Sequence, residues 1–377
     1  MAMPTVGTQV RRTLRGLNWV LLVACVLVTA LGVVAIESAD LHARGASTEY
    51  RKQILYSFIG IAAMLACWRI DYRLWRRFAP ALYGANVLLL AFILVRGHSA
   101  LGAQRWISIG PLGTFQPSEP AKLVLAIALA YVLCLGDYER LRDIWKPLVT
   151  VGVPALLILK QPDLGTTLVL LAILSAQLFF GLPKLRYFGV FVLGVIATAA
   201  FTVGTKFVLK PFQKARLLVF LNPKADPEGA GYNLNQSKIA VGNGEWLGRG
   251  LHHGTQTQLN FVPEHSRDFI FTVIGEELGF VGAMALIALY GAILYGGLQA
   301  MLAAHDRFGF LLATGIVAML TFHIVVNIGM TVGIMPITGI PLPFMSYGGS
   351  AILTDYAAVG VLLNIYSQKD REFLGNA

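Results

Sequence analysis

The feature that most constrains this chain is a series of apolar blocks, most of them close to the length of a helix that crosses a bilayer. An α-helix rises about 1.5 Å per residue, so about twenty apolar residues cross the roughly 30 Å of hydrocarbon in a membrane. We therefore predict an all-α integral membrane protein with about ten transmembrane helices, in which residues 1–377 form one polytopic domain. The blocks lie at 17–36, 54–67, 79–95, 121–135, 147–159, 164–181, 185–209, 269–298, 308–332 and 346–366.

Composition supports this interpretation. Hydrophobic residues make up 56% of the chain and charged residues 13%, whereas a soluble domain carries about 25% charged residues. Blocks such as 121–135 are apolar all round, which argues against a soluble bundle of amphipathic helices. The formal net charge of +10 fits basic loops beside anionic lipid headgroups, so we expect no nucleic-acid partner.

The basic residues are distributed unevenly among the short connections. Under the positive-inside rule, the connections richer in Lys and Arg are cytoplasmic, which places both termini in the cytoplasm. The one long connection, residues 210–267, then lies outside the cytoplasm between the seventh and eighth spans. Its glycines alternate with aromatic, aliphatic and hydrogen-bonding side chains, so we expect it to fold back on the membrane surface.

An acidic residue, Asp268, ends this loop immediately before the apolar run that opens the eighth span. Thr272 and Gly275 fall on nearly the same helical face, which predicts a shallow groove beneath the carboxylate. Asp268 is a candidate base at the outer interface, and the alternative is that it caps the helix N-terminus. Glu276 and Glu277 lie deeper, and because carboxylates are costly inside a membrane, at least one should face the protein interior.

Three further polar segments fall on the same predicted outer face. In 102–122, Arg105 stands beside Trp106, a pair suited to a phosphate near lipid, although tryptophan also anchors helices at interfaces. Glu119 and Lys122 are three residues apart and share a helix face, where they can form a structural ion pair.

The other two segments are KQPDLGTT, with Lys160 and Asp163, and the proline-broken NIGMTVGIMPITGIPLPFMSYGGS. Broken backbone at membrane depth is tolerated only against protein or a water-filled cavity, so we expect a cavity opening outward.

The ordered motifs GAQRWISIG, FQPSEPAK, QPDLGTT, GAGYNLNQSKIAVGNG, FVPEHSRDFIF with GEELG, and PITGIPLPFMSYGGS resemble those of the SEDS family of peptidoglycan glycosyltransferases. The wording of QPDLG and PITGIPLP is closer to the RodA branch than to the division branch of FtsW. The resemblance implies an inverting polymerase of lipid II in the bacterial inner membrane, acting in cell elongation at the outer face. It also implies a class B penicillin-binding protein as partner.

Carried onto this chain, the family's essential aspartate falls on Asp268, as the general base. The resemblance matches four further positions of the family's polar motifs, namely Trp106, Glu119, Lys122 and Asp163. Candidates to bind the leaving pyrophosphate are Arg105, Lys122, Lys160 and Lys238. The departures from the family pattern are Asn243, Glu245, Ser266 and Arg267, which affect expected contacts of the acceptor and not the aspartate.

The sequence indicates no certain cofactor. A divalent cation, Mg²⁺ or Mn²⁺, could share the neutralisation of pyrophosphate, although no spacing of histidines or carboxylates forms a recognisable metal site. Two other classes of function stay open: a flippase or transporter for lipid II, and a non-catalytic membrane scaffold. A division polymerase of the FtsW type is the alternative within the family.

Overall fold

The structure is a computed structural model. It describes residues 16–40, 49–96, 98–100, 103–110, 113–204, 216, 219–220, 229–259, 261–262 and 264–369. Besides a 3₁₀-helix at Leu141–Ile144, this part of the chain contains thirteen α-helices: α1 (Trp19–Asp40), α2 (Glu49–Arg69), α3 (Tyr72–Arg96), α4 (Ser118–Cys134), α5 (Trp145–Lys160), α6 (Leu164–Gly181), α7 (Leu185–Gly204), α8 (Ala230–Asn243), α9 (Thr255–Gln258), α10 (Ile270–Glu277), α11 (Gly279–Leu302), α12 (Arg307–Val332) and α13 (Gly349–Ser367).

Six of the described helices are long and apolar enough to cross a membrane, judged by length and composition. They are the spans Trp19–Ala39, Tyr72–Val95, Leu164–Gly181, Gly279–Leu302, Arg307–Val332 and Gly349–Ser367. A multi-pass helical membrane protein is therefore confirmed. Helices also occupy the described parts of the remaining predicted blocks, but α2 carries charges at both ends and α4 and α5 are short, so the count of ten spans stays a prediction.

The predicted eighth span is wrong as a single helix. The block 269–298 divides into α10 and α11, with the break at Leu278 and at Gly279, where φ is +65°. Gly244 and Gly248 pack against the backbone at this break, so close that a Cβ on Gly248 would lie 2.1 Å from the carbonyl oxygen of Glu277. The glycine-rich part of the long loop, around Gly244 and Gly248, therefore packs where a continuous helix was expected.

A small antiparallel sheet covers one end of the bundle. It contains β1 (His98–Ala100), β2 (Ala103–Ser108) and β3 (Thr114–Phe115) in that order. Ile107 of β2 pairs with Phe115 of β3, immediately before α4 begins. These strands lie in a connection between two of the predicted apolar blocks.

Helix α12 is central and packs against α6, α11, α4 and α13, while α13 also packs along α2. Small residues allow that last contact: a Cβ on Gly360 would lie 2.4 Å from the carbonyl oxygen of Met64, and one on Gly60 would lie 2.6 Å from the Tyr356 ring. Close approach through small residues is a usual mode of helix association in membranes. Hydrogen bonds also join the helices: the amide of Gln177 on α6 donates to the carbonyls of Ala126 on α4 and Leu311 on α12.

The described part of the long loop packs back against the bundle. Helix α8 contacts α10 and the end of α12, and a second apolar cluster forms there. Most of residues 205–228 lie outside the described residues, so the expectation for that stretch of the loop is not addressed by the structure. The packed segments bring the loop to the start of α10, where Asp268 lies. The cluster comprises Val219, Leu234, Ala240, Val262, Phe269, Met330 and Ile337.

Candidate active site

Asp268 lies in the turn that precedes α10 and is half-buried. It does not cap that helix from the N-cap position, which is occupied by Phe269 without a side-chain hydrogen bond. The groove expected beneath it is absent: Thr272 is fully buried, and a Cβ on Gly275 would lie 3.0 Å from the Val241 side chain. Helix α8 and the glycine segment occupy that space, so the carboxylate faces elsewhere.

The Asp268 carboxylate faces Gly339, in the proline-rich segment between α12 and α13. A Cβ on Gly339 would lie 3.1 Å from Oδ2 of Asp268 and 3.2 Å from Nη1 of Arg216. The φ of Gly339 is +70°, a left-handed conformation that glycine adopts readily. Arg216 also donates to the carbonyl of Thr338 at 3.4 Å. A carboxylate and a guanidinium therefore converge on one glycine.

Burial raises the pKa of Asp268 to about 6, and the negative charge of Glu264 acts in the same direction. The cations Arg216 and Arg267 oppose this rise, and Asp163 adds slightly to it. A carboxyl group with this pKa is mostly ionised at neutral pH but binds a proton more readily than an ordinary aspartate. These are the properties required of a general base near neutrality.

Asp163 has a different environment. It is the N-cap of α6, where Oδ1 accepts from the backbone N–H of Thr166 at 3.1 Å and Oδ2 accepts from the Thr166 hydroxyl at 3.0 Å. Gln116 donates to Oδ2 at 3.2 Å, and Nη1 of Arg105 lies 4.0 Å from it. Arg105 also donates to the carbonyls of Gln161 and Pro162. Asp163 and Arg105 thus hold the turn between α5 and α6 against the sheet.

The two aspartates belong to one end of the molecule. Gly165, in the first turn of α6, packs against the proline-rich segment, where a Cβ on it would lie 2.8 Å from the carbonyl oxygen of Thr338. Thr338 is the residue whose carbonyl accepts from Arg216. The structure therefore brings Arg105, Asp163, Arg216 and Asp268 to the same region.

Glu119 and Lys122 form the expected ion pair, with 2.7 Å between Oε2 and Nζ. The Lys122 side chain is 1% exposed, and its ammonium also lies 3.1 Å from Nε2 of His323 on α12. Sequence reasoning missed His323, since nothing along the chain links α12 to α4. A contact between this buried cluster and substrate stays a prediction.

The remaining sequence candidates lie around the site without direct contact to Asp268. Trp106 is half-buried on β2, and Lys160 is exposed in the last turn of α5. Lys238 is exposed on α8 and covers Gly333, where a Cβ would lie 2.0 Å from its Cε. Their roles toward substrate stay predictions.

Glu276 holds part of the long loop by hydrogen bonds. Its carboxylate accepts hydrogen bonds from the backbone N–H groups of Gln256 and Thr257 at 2.8 and 3.1 Å, and from the hydroxyls of Thr255 and Thr257. Glu277 accepts from Ser38 of α1. Both carboxylates face protein, as the cost of burying charge requires.

A groove on the side of the helix bundle leads toward the site. It is an almost entirely apolar cavity of about 620 Å³ between α6, α11 and α12, and it ends at Pro336 and Thr338. Phe180, Leu298 and Val325 on its walls are 49%, 42% and 48% exposed, so the groove opens sideways from the bundle. It can accommodate a hydrocarbon chain whose polar end lies near Thr338.

Within the described residues, no group of three or more His, Cys, Asp or Glu side chains forms a metal site. A divalent cation that shares the neutralisation of the leaving pyrophosphate therefore stays a prediction.

Comparison with known proteins gives consistent matches over almost the full length. The model of the FtsW/RodA/SpoVE family, described as cell cycle proteins, matches residues 18–371. Peptidoglycan glycosyltransferase MrdB of Escherichia coli K12 is 38% identical over 319 residues, which are 82% of this chain and 84% of that protein. Peptidoglycan glycosyltransferase RodA of Treponema pallidum is 33% identical, covering 93% of this chain and 98% of its own length.

Among solved structures, a chain from a peptidoglycan synthase complex that coordinates polymerization and crosslinking superposes with a TM-score of 0.80. It is 33% identical, and the match covers 94% of this chain and 98% of that one.

Proposed function

This chain belongs to the FtsW/RodA/SpoVE family, and on that premise we propose that it polymerises lipid II into glycan strands as an inverting peptidoglycan glycosyltransferase. The observation that carries the proposal is the half-buried Asp268 carboxylate beside Arg216, near the end of an apolar groove that opens sideways. The groove suits a polyprenyl chain, and the charged end suits a pyrophosphate and a sugar hydroxyl.

In the proposed reaction, the 4-hydroxyl oxygen of the incoming lipid II attacks the anomeric carbon of the sugar at the end of the growing chain. A bond forms between that oxygen and the anomeric carbon, and the bond from this carbon to the pyrophosphate oxygen breaks. The electron pair leaves with polyprenyl pyrophosphate, and the hydroxyl proton passes to Asp268. General-base assistance of this kind contributes about 10²- to 10⁴-fold.

Positive charge near the leaving group stabilises the negative charge that develops on the pyrophosphate. Arg216 fits this role because its guanidinium lies at the same glycine as the base. Arg105 is largely occupied by the carbonyls of Gln161 and Pro162. Lys122 is buried with Glu119, so it can contact substrate only after a conformational change of the helix bundle exposes it.

The test is polymerisation of labelled lipid II by the purified protein, alone and with a class B penicillin-binding protein, the partner that we propose. We expect polymer from the native chain and about 10²- to 10⁴-fold less from Asp268→Ala or Asp268→Asn, with lipid II binding retained. A lipid II flippase is the second candidate, since the groove would also serve transport. Movement of lipid II across vesicles without polymerisation would favour that candidate.

The membrane arrangement is also part of the proposal: ten spans, both termini in the cytoplasm and Asp268 on the outer face of the bacterial inner membrane. Cysteine labelling from each side of the membrane tests it at 245 and 306, two exposed or half-buried connection positions. We expect labelling from outside at 245 and from inside at 306.

The role in elongation, rather than division, follows the relatives named RodA and MrdB. Expression of this chain in a rod-shaped bacterium that has been depleted of its elongation polymerase should restore the rod shape. Restoration of septation in a strain depleted of its division polymerase would instead assign it to the FtsW role.

A further inference from the structure

Three consecutive backbone carbonyls at the candidate base are each held by a different donor. The carbonyl of Ser266 accepts from the backbone N–H of Tyr347 at 2.9 Å. The carbonyl of Arg267 accepts from the Ser346 hydroxyl at 2.6 Å, and the carbonyl of Asp268 accepts from Nδ2 of Asn327 at 2.9 Å. The turn carrying Asp268 is thus fixed to the segment between α12 and α13 and to α12 itself.

Asn327 has a special position among these donors. It lies in the central helix α12 and is completely buried. Its amide also donates to the carbonyl of Ile340 at 2.8 Å, while its Oδ1 has no hydrogen-bond partner in the described part of the chain. All the hydrogen bonds that this side chain makes there therefore go to two backbone carbonyls, one on each side of the candidate site.

The second of these carbonyls adjoins Gly339, where the Asp268 carboxylate and the Arg216 guanidinium converge. A single amide on a packed helix therefore fixes both the backbone that carries the carboxylate and the backbone against which the guanidinium lies. Without the amide, the buried carbonyl of Ile340 and the part-buried carbonyl of Asp268 lose this donor, and an unsatisfied buried carbonyl is costly enough to rearrange the backbone.

We propose that Asn327 is a positioning residue for the reaction, which sets the Asp268 carboxylate against Gly339 and Arg216 by holding the carbonyls of Asp268 and Ile340. This inference rests on the proposed function of Asp268 as the base. Asn327 does not touch substrate, and its effect passes through the geometry of the base alone.

The test compares Asn327→Ala with a matched control, Asn364→Ala. Asn364 is also a buried asparagine, and it donates to the carbonyl of Trp68 and accepts from the backbone N–H of Tyr72. The control lies away from the candidate site. Its bonds are at the end of α2, whereas the opposite end of α2 approaches the site, where Glu49 contacts Ser266. Both substitutions remove an equal side chain and two hydrogen bonds to backbone groups, and Asn364→Ala also removes the bond that Gln368 donates to Asn364 Oδ1, so both should lower the melting temperature.

Only Asn327→Ala should change the chemistry. Misplacement of a catalytic group by about 1 Å costs about 10²-fold, so we expect kcat to fall by about that factor with KM little changed. The acid limb of the activity profile should move to higher pH as the carboxylate moves away from Arg216. The other charges facing Asp268, namely Glu264, Arg267 and Asp163, are unchanged in this variant. Asn327→Ser keeps one hydrogen-bond donor on a shorter side chain, so its kcat should lie between that of Asn327→Ala and that of the native chain.

Hydrogen exchange of the 264–269 amides gives a readout that requires no activity, and we expect faster exchange in Asn327→Ala than in Asn364→Ala. Native kcat and an unmoved acid limb in Asn327→Ala, or an equal loss in Asn364→Ala, would overturn the positioning role while Asp268 stays the base. Polymerisation by Asp268→Ala would instead overturn the assignment of the base, and with it this inference.

Discussion

Asp163 and Asp268 both lie just before a helix in the same region of the molecule, yet their surroundings differ. Asp163 accepts three hydrogen bonds and approaches Arg105. The Asp268 carboxylate has no hydrogen bond from the described residues, and burial raises its pKa. A carboxylate whose lone pairs are occupied stabilises a turn, whereas one that is left without donors is available to accept a proton from substrate. The predictions below test this difference.

The largest effect should come from the aspartates themselves. Asp268→Asn should lower polymerisation by about 10²- to 10⁴-fold, because the amide cannot accept the hydroxyl proton. Asp163→Asn should reduce it much less, because its remaining oxygen can still accept from Thr166. Polymerisation of labelled lipid II by both variants, normalised to folded protein, checks this. Equal losses would mean that the two carboxylates do not differ in role.

The pH dependence should show the same difference. Below about pH 6 the activity should fall about tenfold per pH unit as Asp268 becomes protonated. Because the pKa of Asp268 is raised in the folded state, protonation favours folding, and this stabilisation is present at low pH and lost as the pH rises through about 6. The melting temperature of the native chain relative to Asp268→Asn should therefore increase as the pH is lowered from 8 to 5. A constant difference would contradict the raised pKa.

Gly339→Ala tests the convergence of charge on one glycine. The new Cβ would lie 3.1 Å from Asp268 Oδ2 and 3.2 Å from Arg216, so kcat should fall by about tenfold to 10²-fold. Gly110→Ala is the control, because Gly110 also has positive φ, +59°, and has no atoms within 4 Å of a new Cβ. Both variants should lose about 1–2 kcal/mol of stability from the left-handed backbone. Similar kcat values for the two would exclude the steric effect at the site.

Asp163→Ala should mainly affect stability. Loss of the N-cap of α6 costs about 0.5–2 kcal/mol, which should appear as a lower melting temperature in detergent. Asp306→Ala, which removes the N-cap bond to Gly309 at the start of α12, is the matched control and should show a similar decrease. A collapse of activity at unchanged stability would assign Asp163 to the chemistry.

The smallest effect is expected from Arg267→Ala. Its ion pairs with Glu49 and Glu264, at 3.4 Å each, involve half-exposed side chains, and such pairs are worth about 0–1 kcal/mol. Arg267 lowers the pKa of Asp268, so the acid limb of activity should move slightly to higher pH. A shift to lower pH would contradict this electrostatic role.

Local patterns in the sequence predicted much of the fold. Apolar blocks marked the helices because a bilayer requires long apolar segments, and the spacing of Glu119 and Lys122 predicted their ion pair. The break before Gly279 was not predictable, because the apolar pattern continues through it. That break depends on Gly244 and Gly248, which lie more than thirty positions earlier in the chain.

The candidate site was predicted only in part. Asp268 was identified from its place at a predicted interface and from the resemblance to the family. Arg216 and Asn327 were not identified, since their importance depends on contacts with Gly339 and Asp268 across long stretches of sequence. The NIGM motif contained Asn327, but helical periodicity alone does not distinguish a buried side chain that hydrogen-bonds distant backbone carbonyls from one that only fills space.

The sideways opening of the groove between α6, α11 and α12 has a kinetic consequence. A substrate that enters from the side diffuses in the plane of the leaflet, so the relevant concentration is its mole fraction among lipids and not its amount per volume. Dilution of lipid II with inert phospholipid at fixed bulk concentration should therefore slow the reaction, much as dilution in water slows a soluble enzyme. Under the proposed function, the lipid composition of the leaflet would set the rate of glycan polymerisation without any effector binding to the protein.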